Sequence, residues 1–293
     1  MSSFFGIFKN LGYGIKRDET TAMKQIVFTD LDGTLLDPQT YSYEKSLPAL
    51  NQLKEHGIPV IFCSAKTRAE QEIYRRELGL SHPFIAENGG AVFIPRHYLP
   101  FAFDYHKSVD DLLVIELAIP YHRVRKLLSK IREKHSFTFR GFGDMSASEI
   151  AEITGLEIEF AKLAKQREYG EPVKFTPSGK KDISNFVTEL GRVGLNWTYG
   201  GQLYHVTGGS DKGKAVKILI GLYRKMWGEV RTVGLGNSLN DLAMLAQVDI
   251  PILVQTADGG WEDMDLPRLY KVRGIGPEGW SNAVTQLLSE PDN

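Results

Sequence analysis

Short apolar runs alternate with amphipathic stretches through the first third of the chain. Runs at 24–29, 58–63 and 83–86 predict strands, and the stretch 46–56, which is closed by a glycine, predicts a helix. A second helix is expected after the Thr-x-x-Glu sequence at 67–70, which has the spacing of a capping box. Apolar strands that are separated by helices are typical of a parallel sheet buried on both faces.

The pattern changes in the middle of the chain, where strands and helices no longer alternate regularly. The predicted elements there are strands at 111–119, 174–176, 196–199 and 203–206, helices at 121–135 and 181–190, and one or two helices over 148–168. This mixture indicates an α+β unit with antiparallel strands. Tyr204 and His205 fall in its last strand, and we assign them to that sheet rather than to catalysis.

After residue 211 the regular alternation returns. The predicted elements are a helix at 212–226, a strand at 230–235, a helix at 239–247 and a strand at 250–254. We therefore predict an α/β fold, with a doubly wound parallel-sheet (Rossmann-like) core that is interrupted by an inserted α+β cap domain. The expected boundaries are an N-terminal extension at 1–22, a core at 23–95 and 208–293, and a cap at 96–207.

Charge and cysteine content narrow the classes of function. The 293 residues include 35 Lys and Arg and 36 Asp and Glu, so no basic field favours a nucleic acid or an anionic membrane as the partner. Cys63 is the one cysteine, which excludes an internal disulfide and fits a reducing compartment. No apolar stretch approaches the roughly 20 residues that span a bilayer, and we expect a cytoplasmic protein. The oligomeric state stays open.

The strongest chemical signal follows the first predicted strand, which ends in Thr29-Asp30-Leu31-Asp32-Gly33-Thr34. Open α/β sheets bind ligands beyond the carboxyl ends of their strands, so both carboxylates are expected at that edge. Gly33 lets the chain turn away sharply. Two like charges this close need a cation or a shared proton, and an oxygen-rich site favours magnesium.

The segment 26–36 resembles the signature of the haloacid dehalogenase-like phosphatases. The resemblance implies that Asp30 is the nucleophile that becomes phosphorylated and that Asp32 is the general acid and later the base. It further implies that Ser64 at the end of the next strand and Lys212 at the start of the helix after the cap contact the phosphoryl group, with Lys214 as the fallback.

A further family element is the Gly-Asp-x-x-Asn-Asp sequence, which 236–241 matches with one departure. Position 237 is asparagine where the family usually has the aspartate that binds magnesium directly. The resemblance implies a Mg2+ cofactor held by Asp30, Asp32, Asn237 and Asp241. An amide oxygen brings no negative charge, so we expect a weaker magnesium affinity and a larger contribution from Asp241.

Two rival interpretations fail on single positions. Cys63 suggests a tyrosine-phosphatase type of nucleophile, but that chemistry needs an arginine at position 69, which is alanine. The segment 208–214 has the spacing of a nucleotide-binding P-loop, but position 215 is alanine and offers no hydroxyl for magnesium. The P-loop interpretation would also leave the two aspartates of the first motif unexplained.

Several further segments are similar to the mannosyl-3-phosphoglycerate phosphatases, a family in the Cof-like branch of this superfamily. They are Ser64-Ala65-Lys66-Thr67-Arg68, Glu87-Asn88-Gly89-Gly90, 141–144 with 154–156, Arg167-Glu168-Tyr169 with 200–205, and 276–280. The implied substrate is a small phosphorylated sugar-glycerate that carries a phosphate and a carboxylate. Implied substrate contacts are Thr34, Lys66, Arg68, Asn88, Gly89 and Arg167, with the cationic side chains clamping the anionic groups and Asn88 meeting a sugar hydroxyl.

Three hypotheses follow from the sequence. The first is a Mg-dependent phosphatase of mannosyl-3-phosphoglycerate that acts through an aspartyl-phosphate. The second is a phosphatase of another sugar phosphate, such as glucosyl-3-phosphoglycerate or sucrose phosphate, on the same core. The third, which Asn237 motivates, is a phosphosugar-binding protein with little turnover.

Overall fold

A computed structural model describes residues 23–176, 180–200 and 203–289 of the chain. The expected extension at 1–22 lies outside the described residues, as do positions 201 and 202 of one family-like segment. The strands are β1 (Lys24–Thr29), β2 (Val60–Phe62), β3 (Phe84–Ala86), β4 (Ala91–Pro95), β5 (Lys107–Val109), β6 (Leu112–Glu116), β7 (Phe139–Gly141), β8 (Gly170–Phe175), β9 (Asn196–Gly200), β10 (Leu203–Thr207), β11 (Val230–Gly236), β12 (Ile250–Gln255) and β13 (Tyr270–Ile275). The helices are α1 (Leu47–Glu55), α2 (Arg68–Glu77), α3 (Tyr121–His135), α4 (Ala147–Thr154), α5 (Ile158–Ala164), α6 (Lys180–Arg192), α7 (Lys212–Trp227), α8 (Leu242–Leu245) and α9 (Pro277–Ser289).

The core is a five-stranded parallel sheet with the strand order β13-β12-β11-β1-β2. Strand β1, which lies between β11 and β2, has apolar side chains on both faces, because successive residues of a strand point in opposite directions. Val27 packs in a cluster with α1 and α9, whereas Ile26 and Phe28 pack in a second cluster with α7 and α8. All three side chains are fully buried. The doubly wound core that the sequence predicts is therefore confirmed.

A second sheet adjoins the core and has the order β3-β4-β6-β5, with antiparallel pairing throughout. A parallel bridge between Cys63 and Ile85 connects it to the end of β2. Leu112 and Val114 of β6 belong to one core cluster. The sequence-based boundary at 96 therefore cuts through this sheet. We propose that residues up to about 118 belong with the core and that the cap begins at α3.

The cap contains a four-stranded antiparallel sheet with the order β7-β8-β10-β9. Helices α3 and α6 cover one face of it, where Val206 of β10 packs with Phe186 and Val124. Helices α4 and α5 pack with Leu203 on the opposite side. Tyr204 and His205 lie in β10, as the sequence predicts, and the antiparallel α+β character of the cap is confirmed.

Local signals account for several helix ends. Thr67 and Glu70 form the expected capping box at the start of α2, and Ser146 and Glu149 form a second one at the start of α4. The last strand and helix, β13 and α9, carry no such signal and are absent from the sequence-based prediction. Trp280 of α9 is fully buried, and its Nε1 donates a hydrogen bond of 3.0 Å to Thr29 Oγ1. Among the described helices, none combines the length and the apolarity that crossing a membrane requires.

Candidate active site

The candidate site lies at the carboxyl edge of the parallel sheet, where β1 ends at Asp30. The backbone N–H of Asp30 donates to Leu235 O at 2.9 Å, which continues the pairing of β1 with β11 for one more residue. This contact holds Asp30 beside the loop that follows β11. Only 4% of Asp30 is exposed, so its carboxylate is taken out of bulk water.

Lys212 lies at the first position of α7 and reaches this edge with its side chain. Its Nζ donates to Asp30 Oδ1 at 2.8 Å, to Asp241 Oδ1 at 2.7 Å and to Asn240 Oδ1 at 3.0 Å. Burial by itself would lower the pKa of this ammonium group, but the adjacent carboxylates of Asp241 and Asp30 raise it above its usual value. Lys212 is therefore a fixed positive charge, 1% exposed, against Asp30.

The Asp30 carboxyl responds to the same surroundings in the opposite sense. Burial and the nearby charge of Asp241 raise the pKa of Asp30, Lys212 counteracts them, and Asp32 raises it further, to about 7. With a pKa of about 7 this carboxyl is only partly ionised at neutral pH, and additional positive charge close to it would favour its charged form. The site is thus short of positive charge around Asp30.

Asp32 is separated from Asp30 by one residue and points to a different cation. Its Oδ1 lies 3.0 Å from Nζ of Lys66, which also lies 3.5 Å from Glu70 Oε1. The Lys66 ammonium is also 4.8 Å from the centre of the Tyr41 ring, within cation–π range. Asp32 is 43% exposed at its side chain, whereas Lys66 is 4% exposed. Asp32 is therefore the carboxylate of the pair that a ligand and water can reach.

The loop after β11 contacts the Asp30 segment through Asn237. Thr34 Oγ1 donates to Asn237 Oδ1 at 3.2 Å. A Cβ atom on Gly33 would lie 2.5 Å from Asn237 Nδ2, and Gly33 has a φ of 72°, so this close approach requires glycine. The sequence assigns Thr34 to the substrate. Because Thr34 is fully buried and bonded to Asn237, we propose that it positions Asn237 instead.

Asp241 is fully buried, and both of its carboxylate oxygens accept hydrogen bonds. Oδ1 accepts from Lys212, and Oδ2 accepts from the backbone N–H groups of Asn237 at 2.9 Å and Ser238 at 3.1 Å. The sequence assigns Asp241 to the metal. Because its oxygens are already engaged, we propose that Asp241 instead holds Lys212 and shapes the loop.

Ser64 and the segment 87–89 line the other side of the site. The backbone N–H of Asn88 donates to Ser64 O at 2.9 Å. A Cβ on Gly89 would lie 2.1 Å from Asp211 O, so glycine is required where this segment meets the start of α7. Asn88 is 5% exposed, and its Oδ1 has no hydrogen-bond partner among the described residues. Asn88 and Lys212 both line a cavity of about 510 Å3 between the cap and the core.

The two candidate arginine clamps have protein partners. Arg167 is 4% exposed at its side chain, lies 3.2 Å from Glu87 Oε2 and donates to Ala65 O at 3.1 Å. Arg68 Nε donates to Glu168 Oε1 at 3.0 Å. The sequence assigns both to the substrate carboxylate. Because these guanidinium groups are held by carboxylates, we propose that they join the cap to the core.

Glu87 lies beside the site and joins the core to the cap, and sequence reasoning did not assign it. Besides Arg167 it accepts backbone hydrogen bonds from Glu168, Tyr169 and Gly170 at 2.8, 3.0 and 2.7 Å. It has a φ of 52°, as a residue in a tight turn. Glu70 and Asn240, the partners of Lys66 and Lys212, were likewise not assigned. Asn240 lies inside the family-like segment 236–241, whereas no local signal pairs Glu87 with residues about 80 positions away.

The structure also bears on the cysteine nucleophile and on the choice between Lys212 and Lys214. Cys63 is fully buried, and this burial raises the pKa of its thiol, which disfavours the thiolate that a nucleophile needs. Lys214 is directed to its own loop, since its Nζ donates to Gly209 O at 2.9 Å. Lys212 rather than Lys214 is therefore the lysine at the carboxylates.

The residues at the edge of the sheet fit a hard divalent cation. In the described part of the chain no three His, Cys, Asp or Glu side chains converge as a metal cluster. The groups there that could hold a cation, the carboxylates of Asp30 and Asp32 and the amide oxygen of Asn237, nevertheless offer oxygen atoms, which magnesium prefers. Within the described residues, four carboxylates contact only two ammonium groups, those of Lys66 and Lys212; the carboxylates are those of Asp30, Asp32, Glu70 and Asp241. This excess of negative charge is what a cation would neutralise.

Comparison with known proteins places this chain in a family. Residues 27–260 match the haloacid dehalogenase-like hydrolases. A glucosyl-3-phosphoglycerate/mannosyl-3-phosphoglycerate phosphatase of Methanococcoides burtonii is 46% identical over 272 residues, which cover 92% of this chain and 100% of that protein. A mannosyl-3-phosphoglycerate phosphatase of Pyrococcus horikoshii is 37% identical over 233 residues, which cover 79% of this chain and 91% of the relative.

A solved structure agrees at the level of the fold. The crystal structure of a Thermoplasma acidophilum protein superposes with a TM-score of 0.64 at 17% identity and covers 91% of this chain and 99% of that one. At this identity the likeness shows the fold alone. Taken with the family match and the identity to named phosphatases, it shows that the chain belongs to the haloacid dehalogenase-like hydrolases, as a phosphoric monoester hydrolase.

Proposed function

We propose that this chain hydrolyses a hexosyl-3-phosphoglycerate, with mannosyl-3-phosphoglycerate as its substrate, to the hexosylglycerate and phosphate. The observation that carries the proposal is the buried contact between Asp30 and Lys212 at the carboxyl edge of the sheet, where Lys212 also lines a cavity between the cap and the core. The names of the relatives support the substrate class. Because the Methanococcoides burtonii protein is named for both sugars, glucosyl-3-phosphoglycerate is the second candidate substrate.

The carboxylate of Asp30 acts as the nucleophile. One oxygen forms a bond to phosphorus while the bond from phosphorus to the glycerate oxygen breaks, which leaves an aspartyl-phosphate. Asp32, the more exposed carboxyl, donates the proton that the leaving oxygen needs. It then removes a proton from the water that attacks the aspartyl-phosphate, so that Asp30 and Asp32 both return to their starting states.

Lys212 neutralises negative charge on the phosphoryl oxygens, since its Nζ lies 2.8 Å from the attacking carboxylate and is held by Asp241 and Asn240. Asp30, Asp32 and Asn237 would hold Mg2+, which supplies the positive charge that keeps Asp30 ionised and polarises the phosphoryl group. Ser64 and the segment 87–89 form the wall of the phosphoryl site opposite the Asn237 loop. The cap excludes water while the first transfer takes place.

The test is phosphate release from mannosyl- and glucosyl-3-phosphoglycerate across a magnesium titration, with Asn237→Asp beside the parent. We expect turnover that EDTA abolishes, and a magnesium concentration for half-maximal rate that is roughly tenfold lower in Asn237→Asp, because that variant adds a charged oxygen ligand. Sucrose phosphate serves as the control substrate.

The outcomes separate the competing hypotheses. Binding of either substrate without phosphate release in both proteins would identify a phosphosugar-binding protein and contradict the proposal. Faster release from sucrose phosphate would contradict the substrate class. An unchanged magnesium requirement in Asn237→Asp would show that residue 237 does not hold the ion.

A further inference from the structure

The underside of the cap sheet is polar where it faces the core. Side chains alternate along β10, and Tyr204 and Val206 pack with α3 and α6, so His205 and Thr207 point the other way. In the antiparallel pairing with β9, His205 is opposite Thr198 and Thr207 is opposite Asn196. Directly opposite residues share a face of the sheet. This face therefore carries four polar side chains above the core.

The cavity of about 510 Å3 brings this face and the catalytic lysine together. It is lined by Asn196, Thr198 and Thr207 from the cap and by Asn88, Lys212 and Asn240 from the core. His205 lies beside this cavity, because it is directly opposite Thr198 in the pairing of β10 with β9, and the charges of Arg167 and Lys212 act on its pKa. The polar face of the cap thus lies over the space beside Lys212.

Three buried polar atoms around this junction have no hydrogen-bond partner among the residues that the structure describes. They are Asn88 Oδ1, Thr198 Oγ1 and His205 Nδ1. By contrast, Thr207 Oγ1 donates to Ser210 O at 3.4 Å, and Asn196 Nδ2 donates to the same carbonyl at 3.5 Å. Buried polar atoms without partners are uncommon in folded proteins and call for an explanation such as a ligand.

The chemistry of the three atoms selects the ligand. His205 Nε2 lies 3.3 Å from Gly200 O, and since a carbonyl only accepts, Nε2 carries the proton. Burial and the two neighbouring cations lower the pKa of His205 to about 4, so the ring is neutral at pH 7 and Nδ1 is a bare acceptor. Asn88 Oδ1 is also an acceptor, and Thr198 Oγ1 can accept or donate.

We propose that Asn88, Thr198 and His205 form a hydroxyl-binding subsite that recognises the sugar ring of the substrate. A carboxylate or an ionised phosphate has no hydrogen to donate to these acceptors, whereas the hydroxyl groups of a hexose do. The inference rests on the proposed function and divides the substrate between two regions. The phosphoryl group binds at Asp30 and Lys212, and the sugar binds under β9 and β10.

The test compares two substrates in three variants. Thr198→Val is nearly isosteric and removes one hydroxyl, His205→Phe removes the ring nitrogens, and Tyr204→Phe removes a hydroxyl on the opposite face of the same strand as the matched control. The reference substrate is p-nitrophenyl phosphate, which has a phosphate and no sugar. We expect the ratio of kcat/KM for mannosyl-3-phosphoglycerate to that for p-nitrophenyl phosphate to fall about tenfold in each of the first two variants. Tyr204→Phe should leave the ratio within twofold of the parent.

Calorimetric binding of mannosylglycerate gives a second readout that does not depend on turnover. We expect its Kd to rise about tenfold in Thr198→Val and in His205→Phe and to be unchanged in Tyr204→Phe. If His205→Phe does not fold, the nearly isosteric Thr198→Val decides the question.

The inference and the proposed function fail on different results. A parent that releases no phosphate from either hexosyl-3-phosphoglycerate contradicts the proposed function. An unchanged Kd for mannosylglycerate in Thr198→Val and His205→Phe, or no binding to the parent, overturns the hydroxyl subsite. An equal fall in kcat/KM for both substrates in these variants would indicate a structural role and would overturn it as well.

Discussion

Two clusters of charged side chains, one in the cap and one in the core, are built from similar groups but are balanced differently. In the cap, Arg125 contacts Asp144 at 2.7 Å and Glu171 at 2.8 Å, and Arg132 contacts Asp144 at 2.8 Å. Tyr121 OH also donates to Glu171, at 2.7 Å. Two guanidinium groups thus meet two carboxylates, with further hydrogen bonds to both acids.

The core cluster has the same kinds of contact but more acids than bases. Asp30 and Asp241 share Lys212, while Asp32 and Glu70 share Lys66. The consequence is a difference in the pKa values of the acids. Burial by itself would raise the pKa of Asp144, but hydrogen bonds from Arg125, Gly141 and Arg132 lower it below its usual range. The pKa of Asp30 is instead raised to about 7 by burial and by its acidic neighbours.

This difference indicates which cluster stabilises the fold and which cluster is suited to binding a ligand. A balanced cluster gains nothing from an added cation, because its charges are already paired. A cluster with surplus buried negative charge is held at a cost in stability that a bound cation removes. The cap cluster is therefore structural, whereas the core cluster is the one expected to respond to magnesium.

Replacing one aspartate by asparagine should have opposite effects in the two clusters, and this is the largest difference that we expect between them. Asp30→Asn removes the nucleophile, so phosphate release should fall by at least about a thousandfold. Without metal, the free energy of unfolding of Asp30→Asn should equal that of the parent or be about 1 kcal/mol higher, because the variant no longer buries a surplus negative charge. Asp144→Asn should lose stability and keep its turnover. Phosphate release measures the turnover of both variants, and urea unfolding in EDTA measures their stability. Near-normal turnover in Asp30→Asn would rule out Asp30 as the nucleophile.

A second test of the comparison removes, in each cluster, the cationic side chain that two carboxylates share. Lys212→Met leaves two buried carboxylates without their partner and should lower the free energy of unfolding by about 3–5 kcal/mol. Arg125→Met should lower it by about 1–3 kcal/mol, because Glu171 keeps its bond from Tyr121 and Asp144 keeps Arg132.

Magnesium separates these two variants further. Saturating MgCl2 should restore part of the stability of Lys212→Met and none of that of Arg125→Met, as measured by urea unfolding with and without the ion. Equal responses of the two variants to magnesium would contradict the distinction between the clusters.

The pH dependence of the cap cluster should be the smallest effect. Because the pKa of Asp144 is lowered in the folded protein, its contribution to stability is fully present above the unfolded value of about 3.9 and is lost as the pH falls from there through the folded value. The difference in unfolding free energy between the parent and Asp144→Asn should therefore stay constant from pH 7 to pH 5 and shrink below about pH 4. Urea unfolding across this range measures it, and a difference that already shrinks between pH 7 and pH 5 would show that the arginines do not hold the acid in its charged form.

Much of the local structure could be predicted from the sequence. The strand Lys24–Thr29 and the helix Tyr121–His135 have the bounds that the pattern of apolar positions predicts, and the capping box of Thr67 starts α2. The family resemblance implies that Asp30 and Lys212 act on the same phosphoryl group, and the structure brings the two side chains into contact. These signals depend on residues that are close together in the chain or on short motifs, so they can be recognised in a single sequence.

The tertiary structure decided the rest, because the deciding contacts join residues that are far apart in the chain. Nothing in the periodicity of β6 indicates that it pairs with β4 of the core, and nothing near Arg167 indicates that it is held by Glu87. The polar face formed by Thr198 and His205 exists only because β9 and β10 pair in one register and α3 and α6 cover the other side. The sequence by itself determined that Asp30 ends a buried strand beside a second aspartate, and it predicted the chemistry there. The packing of the cap on the core decided which side chains are free to meet the substrate, since burial and partnership are properties of the folded chain.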